Sequence, residues 1–380
     1  MTNIQRKNHD KYMLIATLPL IFCGTVLYGA RVLLLCAIAI ATAKVVDVVV
    51  SMVRHEAFDS TDHSSELSAV VFCLMLPVNV PIYVIVVSVL MAVLVGKHFF
   101  GGKDVYPFNL AALAMCCAAV NWSDKVFVAV TPFSKVDLWS GYTTGATVTT
   151  AGIVKAGGVP THTTMDLLLG NHPGSMGSDF VLVIIATALF LLITKKITWH
   201  IPVSFLATCT AIALAFPRIY GFPRLESLQL ELLNGVVLFT ALFMLNEPTT
   251  TPHTPKAKII YGITVGVLGM AFRYVGGFEL GSCFALLLVN TLDGVIERFA
   301  DGTLFEKKAQ KPKATKTEKQ SQPKEENLKK TYKAQPKGTM DIISEAEDNI
   351  DEVLYSTRTI SLDEIRRAEA EHNARQKGDK

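Results

Sequence analysis

The chain has 380 residues, half of them hydrophobic and 18% charged, with a formal net charge of +3, and its mean hydropathy is +0.37. Nearly half of the charges fall after residue 300, so the first three hundred residues are far too apolar for a soluble domain and predict an all-α polytopic membrane protein embedded in a lipid bilayer. No positive stripe interleaved with aromatics points to a nucleic-acid partner, and the cysteines, all inside apolar runs, make neither a disulfide framework nor a zinc site.

In chain order, residues 1–11 are polar, and Arg6, Lys7 and Lys11 before the first span put the N-terminus in the cytoplasm by the positive-inside rule. No small-residue processing site follows the first apolar run, so no cleavable signal peptide is expected. A first membrane repeat, 1–122, holds predicted spans at 12–30, 32–53, 67–80, 82–99 and 108–122. A second, 178–300, holds spans at 180–193, 201–216, 232–245, 259–272 and 280–296, giving about ten in all. Several are shorter than the ~20 residues that cross a bilayer alone, so they are expected to be broken or half-buried helices. Residues 301–380 form a charged tail, expected to be cytoplasmic. Its Lys/Gln/Pro run from Lys307 to Lys337 reads as disordered, either solvated or lying on anionic headgroups, and a capping box at Ser361–Glu364 opens a helix to about Arg375.

The two halves resemble each other. Asn79-Val80-Pro81, Tyr83 and Gly101-Gly102 keep the order and similar spacing of Asn246-Glu247-Pro248, Tyr261 and Gly276-Gly277, and Ser68–Val71 parallels Asn234–Val237. Five spans separate equivalent points, so the second copy enters the membrane upside down, as an inverted repeat. Inside loops then carry Arg54, Lys97, Lys103, Lys195, Lys196, Lys256, Lys258 and Arg298, while the stretch 123–177 faces outside. Its length exceeds that of a passive connection.

Within the apolar runs, Lys44 and Asp47 stand at i, i+3 and are expected to pair with each other. With Asp293 they are the candidates for an ion or charge path. Asn79, Asn109, Asn234, Asn246 and Asn290 suit either hydrogen bonding between helices or a flavin or ion site at the repeat interface. No P-loop, no strand-bounded G-x-G-x-x-G and no H-E-x-x-H occurs, so nucleotide hydrolysis, a Rossmann site and a metal centre are unsupported.

The long outer stretch contains Asp137–Thr150, D-L-W-S-G-Y-T-T-G-A-T-V-T-T. A Thr hydroxyl among small residues admits a phosphate ester, and glycines free backbone N–H groups to face it; by composition alone it is equally a polar loop. Thr144-Gly145-Ala146-Thr147, together with Leu168–Gly177, Phe99–Gly102 and Asn109, resembles the D subunit of the Rnf electron-transport complex, which is related to the B subunit of the sodium-pumping NADH:quinone reductase. The resemblance spans about residues 7–299. It implies FMN held through a phosphoester on the last Thr of a D-x-x-[S/T]-G-A-T motif, which maps onto Thr147, with Thr144, Gly145 and Ala146 around it. Gly141 stands where that motif has Asp; Asp137 has the right spacing for Thr143, the alternative attachment residue. The resemblance further implies a membrane subunit, not catalytic alone, of an ion-translocating ferredoxin:NAD oxidoreductase in the cytoplasmic membrane. Its partners are the other membrane and peripheral Rnf subunits and a flavin transferase, and a second, non-covalent flavin is a further expectation. The eleven residues before the first span favour the Rnf type over a quinone-reductase B-type subunit. The residues alone also fit a secondary transporter or channel without flavin.

Overall fold

The computed structural model describes residues 3–102, 106–219, 221–233, 236–275 and 280–302. The tail beyond them, with the predicted helix at Ser361–Arg375, lies outside the described residues, as do Lys103, Asn234, Gly235, Gly276 and Gly277.

The described chain is helical apart from one short β-ribbon. Two helices, α1 (Asn3–Tyr28) and α2 (Arg31–Arg54), are joined by a turn at Gly29, whose φ of 84° suits glycine and whose N–H bonds Thr25 O at 2.9 Å. Residues 6–28 and 31–54 are each long and apolar enough to cross a membrane. Next come α3 (Ser64–Leu74), α4 (Ile82–Met91) continuing as a π-helical turn Ala92–His98, and α5 (Leu110–Asn121). The stretch 123–177 folds as α6 (Ser123–Val126), β1 (Val128–Val130), β2 (Ala146–Val148), α7 (Thr150–Lys155) and α8 (Thr164–Leu169). The second half has α9 (Val181–Ile193), α10 (His200–Ala215), α11 (Arg224–Leu233), α12 (Val237–Phe239) with a π-helical turn Thr240–Met244, α13 (Pro255–Tyr274), α14 (Gly281–Asn290) and α15 (Asp293–Ala300).

The expectation of short, broken helices holds. Every residue of α3 is buried although its eleven residues reach only ~16 Å, about half of a hydrocarbon core. α5 and α14 are similarly short, and the predicted span 280–296 breaks between α14 and α15. Both Asn-x-Pro sequences come within five residues of a helix end, Asn79 after α3 and Asn246 after the second π-turn. Helix α2 packs on α4 and α10 on α13, while α1 touches α9 and α5 touches α14.

Broken helices leave carbonyls that must be satisfied inside the protein. The α3 end is capped by the segment before α9: Ser178 N donates to Leu74 O at 3.1 Å and Met176 N to Leu76 O at 2.9 Å. This approach requires small residues. A Cβ on Gly177 would lie 2.5 Å from Leu74 Cδ2, and one on Gly24 would lie 2.2 Å from Met176 O. At the second π-turn the Asn246 amide donates to Ala241 O and Leu242 O at 2.9 and 3.0 Å.

Candidate functional site

The stretch 123–177 is more ordered than a polar loop. β1 and β2 pair antiparallel with Val128 opposite Val148, Ala129 opposite Thr147 and Val130 opposite Ala146. Ala129 and Val130 are fully buried, which fixes the ribbon to the membrane part, and Val130 also bridges Gly174. Below the ribbon, Thr150 N donates to Pro173 O at 3.0 Å, its hydroxyl meets His172 Nδ1 at 3.0 Å, and the Tyr28 hydroxyl donates to His172 O at 3.2 Å. Phe133 N bonds Leu27 O at 2.8 Å, so the stretch is stitched to the C-terminal end of α1.

The ribbon carries Ala146 and Thr147, with Thr144 and Gly145 leading into it. Thr147 is half-buried, and its hydroxyl forms no hydrogen bond among the described residues. The Thr143 hydroxyl, by contrast, accepts from Gly145 N at 3.1 Å. This bond separates the two threonines. Gly145 is fitted against Ser134 and Thr131: an added Cβ would lie 2.5 Å from Ser134 Oγ. Phe133, Trp139 and Tyr142 are exposed on the same stretch, and an apolar cleft of about 410 Å³ opens beside Phe133 between α1 and α9. The unengaged hydroxyl, small neighbours and aromatic surface fit a phosphate-linked flavin.

Arg31, which in sequence is only a charge between two apolar runs, organises the approach to this ribbon. It is 1% exposed. Its guanidinium donates to four carbonyls: Val78 O at 2.8 Å and Val80 O at 2.9 Å beside the first Asn-x-Pro, and Asp137 O at 3.0 Å and Leu138 O in the turn before the ribbon's second strand. A planar five-donor group can hold such a set; an ammonium cannot. Gly141 explains the departure from the motif that the resemblance implies. Its φ is +72°, and a Cβ would stand 2.5 Å from Arg31 Nη2 and 2.7 Å from Asn79 O, so no Asp fits. Asp137 instead staples its own turn, accepting from Ser140 Oγ and Ser140 N at 2.7 Å each, and these bonds hold its carboxyl below the ordinary range.

The expected Lys44–Asp47 pair is not formed. Lys44 pairs with Glu66 and lies over the Phe58 ring, while Asp47 accepts from His98 Nε2 at 2.7 Å and faces Lys97 Nζ at 3.5 Å. Lys97, 1% exposed on the π-turn after α4, also binds Asp62 at 2.9 Å and Ser65 Oγ at 2.7 Å. The buried cation needs two carboxylates, and Asp47 turns to it from the more exposed Lys44. Asp293 opens α15 half-buried; no ion pair or hydrogen bond among the described residues joins it to Lys44 or Asp47. The three candidate charges therefore do not form one contact chain.

Two of the asparagines, Asn109 and Asn290, bond one helix to another, whereas Asn246 bonds within its own segment and Asn79 Oδ1 has no partner among the described residues. Asn109 caps α5 by accepting from Ala112 N at 2.8 Å, and its amide donates to Met244 O and Glu247 Oε2 at 2.9 and 2.7 Å, across the halves. The Tyr106 hydroxyl donates to Glu247 Oε1 at 2.6 Å, and the Asn290 amide lies 2.8 Å from the Tyr261 hydroxyl. Where the short helix ends meet the stretch 123–177, between Met75, Met115, Thr149, Asp179 and Leu280, the cavity is about 50 Å³, enough for water but not for an isoalloxazine.

The profile of the family described as NQR2, RnfD, RnfE matches residues 2–306. The chain is similar to the D subunit of the proton-translocating ferredoxin:NAD(+) oxidoreductase complex of Clostridium ljungdahlii, 28% identical over 300 residues, covering 77% of this chain and 89% of that protein. It is similar also to the D subunit of the ion-translocating oxidoreductase complex of Haemophilus influenzae (strain PittEE), 27% identical over 332 residues with 76% and 90% covered, and to that of Salmonella typhi, 28% identical over 319 residues with 76% and 90% covered.

Proposed function

The chain belongs to the NQR2, RnfD, RnfE family, and on that premise we propose that it is the D-type membrane subunit of an ion-translocating oxidoreductase complex, that it carries FMN as a phosphoester on Thr147, and that it relays electrons through that flavin. The partners are the other subunits of the complex, as the names of its relatives indicate. The single observation that carries the flavin assignment is the placement of Thr147: centred on a ribbon anchored to buried β1, half-buried, with small neighbours and an unengaged hydroxyl. When bound, the flavin supplies one- and two-electron chemistry. The protein's own contribution is to hold the attachment residue rigidly over the broken-helix centre, through Arg31, Thr150 and His172, and to offer Phe133, Trp139 and Tyr142 as apolar surface. A second, non-covalent flavin would need the 50 Å³ cavity to open.

The charge distribution supports an outer position for the ribbon and a cytoplasmic N-terminus. Electrons delivered by cytoplasmic carriers then cross the membrane and return, and ion movement is coupled to that crossing. Asp47, with Lys97 and Asp62, is a better candidate for the ion-linked charges than Lys44, because these three share one buried network; Asp293 is a separate candidate.

The test is in-gel flavin fluorescence of denatured, washed protein from a host with a flavin transferase. Wild type and Thr143→Ala should fluoresce and Thr147→Ala should be dark. A dark wild-type band would remove the flavin reading and favour a transporter or channel; a bright Thr147→Ala band with a dark Thr143→Ala band would move the attachment. For sidedness, in a background without the native cysteines, Ser134→Cys should react with an impermeant thiol reagent in intact cells and Ser321→Cys should not.

A further inference from the structure

A second cavity, of about 310 Å³, lies away from the ribbon, where the segment after α9 and the starts of α10 and α13 converge on α1. Lys195, Lys196 and Lys258 line it together with His9 and His253. Among the described residues none of the three lysines pairs with a carboxylate. Lys196 Nζ lies 4.0 Å from the centre of the Tyr12 ring, and Lys258 Nζ reaches Thr198 Oγ1 at 3.5 Å. The nearby acids are already engaged: Asp10 faces His9 Nδ1 at 3.3 Å, and Glu297 binds His253 at 2.9 Å.

Two further observations give this surplus of positive charge a direction. His9 is 2% exposed, and its Nε2 has no hydrogen-bond partner among the described residues. A buried ring nitrogen left unpaired is costly unless a ligand completes it. Second, α10 and α13 both begin beside the cavity with no acidic residue in their first turns, and α13 places Lys256 and Lys258 there. Cations in a first turn oppose the helix dipole, and an anion between them and the N–H ends reverses that penalty.

We infer that this cavity is a binding site for a phosphate-bearing anion, held by Lys196, Lys258 and the Nε2 of His9 at the paired starts of α10 and α13. Its volume takes a phosphate group with attached atoms, and lysine suits phosphate as a point charge. Free phosphate and the headgroup of an anionic lipid share this chemistry; apolar residues of α10 and α13 continue from the cavity and suit the lipid's chains. The inference is independent of the flavin on Thr147.

The experiment uses the full-length, delipidated protein and reads its thermal midpoint. One arm titrates inorganic phosphate against chloride at equal ionic strength; the other compares reconstitution into phosphatidylglycerol and phosphatidylcholine bilayers. A saturable rise with phosphate assigns the free anion, and a rise restricted to phosphatidylglycerol assigns the headgroup. In either case Lys196→Gln/Lys258→Gln should weaken half-saturation about tenfold, Lys196→Arg/Lys258→Arg should retain most of the response, and Lys155→Gln, at an exposed position ending α7, should match wild type. No rise of the wild-type midpoint in either arm overturns the site. So does a response that the paired Gln variant leaves unchanged.

Discussion

Replacing Arg31 by Met should release the turn at Asp137 and Leu138 from the helices while leaving the helices in place. The guanidinium satisfies four carbonyls, but they are not equivalent. Val78 and Val80 are 1% and 0% exposed, so no water replaces the lost donors there, whereas Asp137 and Leu138 lie in an exposed turn that water can reach. Two buried carbonyls left unpaired cost about 1–3 kcal/mol each, and removing a desolvated charge returns part of this. A net loss of about 3 kcal/mol is therefore expected. Arg31→Lys should lose less, because one ammonium keeps the charge but cannot span both carbonyl pairs. Denaturant unfolding of the purified protein in detergent gives the total, and limited proteolysis gives the location, with cleavage between Phe133 and Thr144 appearing first. A loss under about 1 kcal/mol, or unchanged protease resistance of that turn, would refute the clamp.

Lys97→Met leaves Asp47 and Asp62 without their shared cation and should cost about 3–5 kcal/mol in the same unfolding assay; a change below about 1 kcal/mol would mean that the two acids find other partners. Gly177→Ala drives a Cβ against Leu74 and should cost about 1–3 kcal/mol, whereas Gly157→Ala meets no neighbour but is strained at φ +78° and should cost less. The Asp137 carboxyl is held low by Ser140. Its stabilising contribution is complete above the unfolded value of about 4 and is lost as pH falls through the lower folded value. Protease resistance of the turn should thus decline only below about pH 4, and Ser140→Ala should move that decline to higher pH.

The apolar runs made the membrane class and the short central helices readable, because lipid demands continuous apolar sequence and α3 and α5 are too short to cross alone. The Thr144–Thr147 run marked the ribbon, but its β-pairing was hidden: its partner Val128–Val130 is three residues long and eighteen positions away, too short for a periodic signal. Lys44 and Asp47 show the limit of local spacing. Their i, i+3 relation is real, yet Lys97, fifty residues on, was placed beside Asp47 by a π-turn that no composition rule announces. Arg31 carried a faint signal, a lone charge between two long apolar runs, and Gly141 a stronger one, since its departure from the motif is what the Arg31 clamp requires.

The most direct test of flavin attachment is mass spectrometry of the proteolytic peptide holding Thr143 and Thr147, from protein made alongside a flavin transferase. One FMN-phosphoester increment is expected, with fragment ions placing it on Thr147. A peptide that is unmodified under those conditions, or modified only at Thr143, would contradict the assignment.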